Sequence, residues 1–281
     1  MKKGPLKKKK LLWVIAEMVA IIAAVAIFIV PFLYMIINSL KDPREANLMS
    51  MSLPLTFQWG NYWEAFSAKN YQVLLAFKNS FVLTFFSVIG LIIVGSMAGY
   101  VIQRRRDKFM TSLSSVLMLG LMIPAAVLPT IWVLQTLHIY KSMFAMVMVE
   151  IALQLPFTIM LYRGFVSSVP RELEEAAVID GCTVPQLFTK IVFPLLKPVT
   201  ATVIILDACT VFNDFTNPLY FLPGSENVTV QLTLYNFIGQ YVSSFNLLFA
   251  NVIIITIPML IIFILFNKQL VEGMTAGAVK G

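Results

Sequence analysis

Pro170-Arg-Glu-Leu-Glu-Glu-Ala-Ala-Val-Ile-Asp-Gly181, followed by Cys182-Thr-Val-Pro-Gln186 and closed by Ile191-Val-Phe-Pro194, is a polar interruption between the fourth and fifth hydrophobic segments of the chain. Pro170 suits the first turn of a helix, and Glu172, Glu174 and Glu175 follow at the positive end of its dipole. Gly181 is the stop signal. Thr183-Val-Pro-Gln186 has the form of a capping box, a hydroxyl for an orphan N–H and an amide three residues on, so a second helix is expected to start at once. On the first helix, Ala176 and Ala177 leave a shallow surface beside Leu173 where a second protein can approach the backbone closely, with the acids on its rim. The stretch reads as a helix-turn-helix built to meet a partner.

The rest of the chain belongs to a bilayer. Its 281 residues are 59% hydrophobic and 12% charged, with a mean hydropathy of +0.84, too apolar for a soluble domain of this length. Six stretches are long enough to cross hydrocarbon as helices, at roughly 20 residues each: about 11–37, 77–102, 113–134, 143–162, 199–221 and 247–266. Lys2, Lys3, Lys7 to Lys10, Arg104 to Arg106, Lys108, Arg163, Arg171, Lys190, Lys197, Lys268 and Lys280 fall on one side of these spans, sixteen of the 21 Lys and Arg residues. Lys41, Arg44, Lys69, Lys78 and Lys141 are spread over the other. Basic loops stay cytoplasmic, so both termini and the Glu-Ala-Ala loop are placed inside. The expected organisation is a basic cytoplasmic N-terminus at 1–10, one six-helix transmembrane domain at 11–270 containing the loop at 163–198, and a cytoplasmic tail at 271–281.

The net charge of +7 is accounted for by this topology and the anionic inner leaflet, and calls for no nucleic acid. The apolar run after the first lysines is far longer than a secretory signal core and ends in no small-residue cleavage site, so it is read as an uncleaved span, with Glu17 snorkelling at its cytoplasmic end. Cys182 and Cys209 fall in the loop and in a span, which makes no disulfide and no metal site. His138, the single histidine, sits near the external end of the third span as an interfacial residue. No phosphate-binding loop, nucleophile elbow or zinc-protease motif occurs, so the chain has no readable means of hydrolysing ATP.

Within the fifth span, Asp207, Thr210, Asp214 and Asn217 recur at intervals of three, four and three, along one face of a helix, with Asn213 beside them. A carboxylate near the bilayer centre costs about 2.5 to 3.5 kcal/mol even on the lenient insertion scale, so Asp207 is expected to face protein or a cavity. Two readings stand: the face lines a path for a hydroxyl-rich solute, or Asp207 pairs with a group on another helix while Asp214 and Asn217 sit at the wet end. Glu150 in the fourth span raises the same question. Pro124 and Pro129 are expected to bend or break the third span.

The pattern Glu175-Ala176-Ala177, three residues, Gly181, nine residues, Ile191, one residue, Phe193-Pro194 resembles the EAA loop of ABC importer permeases, with Phe193 where the family usually has Leu. The resemblance implies that Leu173, Glu174, Glu175, Ala176, Ala177, Asp180 and Gly181 couple the chain to a cleft in an ATPase. Phe57-x-Trp59-Gly-Asn61-Tyr62-x-x-Ala65-Phe66 is similar to the external segment of carbohydrate importer permeases, although Trp and Tyr also form interfacial belts in any membrane protein. Phe212-Asn213-Asp214-Phe215 with Pro218-Leu219 resembles the Trp-Asn-acid-Phe segment of their fifth span, and the end Gly273 to Gly281 resembles the MalG-like inner permease of maltose-type systems.

That resemblance implies an all-α, multi-pass protein of the bacterial cytoplasmic membrane with type I ABC importer permease architecture, and a sugar or oligosaccharide as cargo, or another polar solute such as a polyol or glycerol phosphate. It implies a second, MalF-like permease, a pair of ATPase subunits holding ATP and Mg, an extracytoplasmic solute-binding protein, and no cofactor in this chain. An ion-coupled carrier using Asp207 has no need of an ATPase socket. A receptor has no need of a polar face through the fifth span.

Overall fold

The computed structural model describes residues 5–105, 107–122, 124–239 and 243–278. Lys2, Lys3, Arg106, Lys280 and the last three residues of the C-terminal motif lie outside the described residues, as do the side chains of Lys7 to Lys10 and Lys268. The regular secondary structure of the described residues is helical, with one isolated β-bridge, Ile238 to Ser243, and no strand. Four helices are long and apolar enough to cross a membrane, or up to five if one bent pair counts as a span. The chain divides into two compact units, Met1–Gln72 with Leu234–Ile255 and Val73–Thr233 with Thr256–Gly281.

In the first unit, α1 (Pro5–Ser39) leaves its whole apolar window exposed, as expected of a helix whose solvent is lipid. Asp42 caps the short α2 (Pro43–Asn47), accepting from the N–H groups of Arg44 and Glu45 at 2.7 and 3.1 Å. Lys41 is fully buried and donates to the Ser50 carbonyl at 2.7 Å and to Asn38 Oδ1 at 3.1 Å. Asn61 explains part of the external motif. Its Nδ2 donates to the carbonyls of Ser39 (2.7 Å) and Lys41 (2.8 Å), and its Oδ1 accepts from Asn246 Nδ2 at 3.0 Å. Phe57, Trp59 and Trp63 of the same motif stay exposed.

α3 (Gly60–Arg104) bends sharply where Lys69, Asn70 and Tyr71 take positive φ. Beyond the bend it packs on α6 (Met143–Val166) through glycines. A Cβ on Gly95 would sit 2.6 Å from Thr158 Cγ2, and one on Gly99 2.7 Å from Tyr162 Cβ and 3.0 Å from the Arg163 nitrogen. Lipid offers no hydrophobic drive for helices to associate, so this close backbone approach, Gly-x-x-x-Gly, supplies the dispersion contact instead.

Two expected spans differ from one continuous helix. The third is α4 (Lys108–Gly120) and α5 (Val127–Thr136), which Asp107 and Ala126 precede as N-caps. The break falls around Pro124, and Pro129 lands in the first turn of α5, where its missing N–H matters least. The fifth is α10 (Lys197–Phe212) and then α11 (Thr216–Phe221), with Pro218 likewise in the first turn. The last long helix is α12 (Phe245–Ala278). Leu83, Leu134, Met146, Val211, Phe221 and Leu222 form one buried core that joins α3, α5, α6, α10 and α11.

Candidate functional site

The polar interruption folds as a helix, a turn and a second helical run. α7 covers Glu172–Ile179, one cap later than expected, so Pro170 precedes the N-cap Arg171. All three glutamates fall in its first turn. Its C-terminus closes as a Schellman motif: Cys182 N–H donates to the Ala177 carbonyl and Gly181 N–H to the Val178 carbonyl, both at 3.0 Å, with Gly181 at φ +85°. Thr183 N–H then donates to Gln186 Oε1 at 3.0 Å, the reach-back half of a capping box. The second run is not one α-helix. α8 (Val184–Gln186) widens into a π-helix over Leu187–Val192 before α9 (Phe193–Leu195). The wide turn precedes Pro194, which has no N–H to return to the Lys190 carbonyl.

The loop is bolted to its own chain on one side. Ala177 is buried with Leu187, Val192 and Leu196 against Tyr162 and Val166 of α6, so it offers nothing to a partner. Glu174 also turns inward: Oε2 accepts from the Tyr100 hydroxyl at 2.8 Å and Oε1 from Arg104 Nε at 2.7 Å, in an ion pair whose side chains are each 13% exposed. Arg104 also donates to the Val169 carbonyl at 2.9 Å. The outward side carries Glu172, Leu173, Glu175, Ala176, Asp180 and Gly181. With them stand Val178, Ile179 and Val184, which reading the Glu-Ala-Ala pattern alone passed over. Helical spacing holds the signal for Ile179, three residues after Ala176.

The fifth-span residues do not share one helical face, because α10 ends at Phe212. Asp207 is 1% exposed and accepts from Thr158 Oγ1 of α6 at 2.9 Å, the internal pairing. Thr210 Oγ1 donates back to the Leu206 carbonyl, and Asn213 Nδ2 to the Cys209 carbonyl. Asn213 Oδ1 accepts from Gln231 Nε2 at 3.1 Å. Asp214 lies in the break and starts α11, accepting from the N–H groups of Thr216 (2.9 Å) and Asn217 (3.2 Å) and from Asn217 Nδ2 (2.6 Å). Glu150 of α6, fully buried, has Asp214 and Gln154 within electrostatic reach. The break therefore gathers Asn213, Asp214, Asn217 and Glu150, and leaves Asp207 with Thr158.

Comparison with known proteins fits this geometry. The melibiose/raffinose/stachyose import permease protein of Bacillus subtilis is 32% identical over 273 residues, covering 95% of this chain and 96% of that protein. A multiple sugar-binding transport system permease protein of Streptococcus mutans is 32% identical over 267 residues, covering 90% and 92%. Among solved structures, a bacterial ABC transporter involved in import of the acidic polysaccharide alginate superposes with a TM-score of 0.78 at 19% identity, over 95% of this chain and 99% of that one. The same kind of transporter in complex with an alginate pentasaccharide-bound periplasmic protein gives a TM-score of 0.72 at 15% identity. Residues 70–275 match the family described as binding-protein-dependent transport system inner membrane component, and the chain belongs to that family.

Proposed function

We propose that the chain is the permease subunit of an ATP-driven importer for a sugar or oligosaccharide, forming half of the translocation path and coupling it to a separate ATPase through the loop at 163–198. The observation that carries this reading is the outward apolar face of α7 and α8, an unpaired hydrophobic patch rimmed by acids on a loop otherwise locked to its own chain. The names of the relatives support carbohydrate as the cargo. The binding-protein-dependent family and the neighbour's complex with a periplasmic protein support an extracytoplasmic binding protein as one partner. A second MalF-like permease and two ATPase subunits holding ATP and Mg complete the assembly. The six crossings are α1, the straight part of α3, α4 with α5, α6, α10 with α11, and α12, with both termini cytoplasmic. Asn213, Asp214 and Asn217 with Thr210 serve the sugar path from the break in the fifth span, and Glu150 joins them.

Single cysteines test the sidedness. In a background lacking Cys182 and Cys209, cysteines at Ser67 and Ser225 are expected to react with an impermeant reagent outside intact cells, and one at Ser168 only after lysis. The reverse pattern would put the loop where no ATPase can reach it.

Gly181 tests the loop itself. A Cβ there meets no atom within 4 Å, so any effect of Gly181→Val comes from forcing a β-branched residue to positive φ, which costs about 1–3 kcal/mol. The variant is expected to lose most sugar-stimulated ATP hydrolysis, while Gly181→Asn, which tolerates this conformation, stays within about twofold of the parent (0.4 kcal/mol). Equal coupling in both would remove the Schellman turn from the mechanism.

A further inference from the structure

A polar pocket of about 540 Å³ opens where the ends of α3 and α6 meet the start of α4, walled by Gln103, Arg105, Thr111, Ser114, Ser115 and Arg163. Arg163 is half-buried. Its Nε donates to Gln103 Oε1 at 3.2 Å and a terminal nitrogen donates to Ser114 Oγ. Both acceptors are neutral, and the ion pairs among the described residues are Arg104 with Glu174 and Arg105 with Asp107. Asp107 is already committed, with Oδ1 accepting from Met110 N–H and Oδ2 from Arg105 Nε, contacts that hold its carboxyl below the usual range. A partly desolvated guanidinium with no counter-ion is unfavourable, and its planar fork matches a phosphate.

The surroundings distinguish one phosphate source from another. Phe109 and Val116, one heptad apart on the helix α4 that walls the pocket, are exposed apolar side chains. A cationic pocket at the end of membrane helices, with apolar surface alongside, offers separate sites for the headgroup and the acyl chains of a phospholipid. Free phosphate would use only the first.

We propose that this pocket binds the phosphate headgroup of an anionic phospholipid, with Arg163 as the principal contact and Arg105, Thr111 and Ser115 around it. The inference rests on the membrane-embedded reading of the family and not on the nature of the cargo. Gln103 and Arg105 flank Arg104, whose partner Glu174 anchors the coupling loop, so a bound lipid steadies the corner from which that loop hangs.

The test uses the assembled transporter in nanodiscs of phosphatidylcholine with added phosphatidylglycerol, and counts retained lipids by native mass spectrometry. The parent is expected to retain phosphatidylglycerol over phosphatidylcholine by about tenfold, the scale of one hydrogen-bonded charge contact. Arg163→Gln and, independently, Ser115→Asp, an exposed position that places a negative charge in the pocket, are expected to lose that preference, and Lys108→Gln to keep it. If Arg163→Gln fails to assemble, Ser115→Asp decides alone. No preference in the parent, or an unchanged preference in Ser115→Asp, overturns the proposal. So does full displacement of the lipid by millimolar inorganic phosphate at constant ionic strength, which would make this a free-anion site. A parent complex that moves sugar yet shows no lipid preference sinks the lipid site alone; a preference present in a parent complex that moves no sugar sinks the importer reading and leaves the lipid site standing.

Discussion

Ile179→Asp is expected to abolish ATP-driven uptake while leaving the permease folded. Ile179 is 85% exposed, with Val184 at 77% and Val178 at 58% beside it. A substitution there removes no internal contact, and surface changes of this kind stay within about 0.5 kcal/mol of stability. At a docked interface the outcome reverses. A carboxylate forced into an apolar cleft without a partner costs several kcal/mol, and even a hot-spot loss of about 2 kcal/mol weakens binding roughly thirtyfold. The ATPase subunits should fail to co-purify with the variant, and sugar should no longer stimulate ATP hydrolysis. Glu172→Ala, on the acid rim, is expected to shift only the salt dependence of association. Normal co-purification with Ile179→Asp would place the ATPase contact elsewhere.

The second large effect is expected at Asp207. Its carboxyl accepts from Thr158 between α10 and α6, at 1% exposure. Asp207→Ala leaves a void there and removes the hydrogen bond between the helices. The Thr158 hydroxyl falls back on the Gln154 carbonyl of its own helix at 3.1 Å, so the loss of about 1–3 kcal/mol comes mostly from the void and the lost cross-helix contact. The complex should therefore express poorly and melt several degrees lower. Asp207→Asn keeps an acceptor oxygen in place and is expected to assemble. Asp214→Ala, in the break, should assemble as well and lose uptake. An Asp207→Ala complex that melts like the parent yet transports poorly would return Asp207 to the sugar path.

The helix-turn-helix of the loop at 163–198 was legible because its signals are local. A glycine that takes positive φ, a Thr/Gln pair three apart and acids in a first turn act over four to six residues, and each formed where expected. The inward roles of Glu174 and Ala177 were not legible, since their partners Tyr100, Arg104 and Tyr162 are distant in sequence. The fifth span misled for a different reason. Periodicity at three and four residues presumes an unbroken helix, but Pro218 cannot donate to the carbonyl four residues back, and Asp214 caps a new start instead. The same rule applied to Pro124 and Pro129 foresaw the interrupted third span. The Gly95-x-x-x-Gly99 spacing is itself the local signal for the close contact with α6.

Tyr100 and Arg104 stand one turn apart near the end of α3, and both close on the single carboxylate of Glu174. That ties α7 to α3 through one side chain gripped by two donors, so the link does not depend on either donor alone. α3 in turn lies against α6 at Gly95 and Gly99, where an added Cβ would sit within 2.7 Å of α6 side chains. On the reading proposed above, a pull on α7 would carry the end of α3 with it, and would reach the membrane as movement of a helix already tied to the loop.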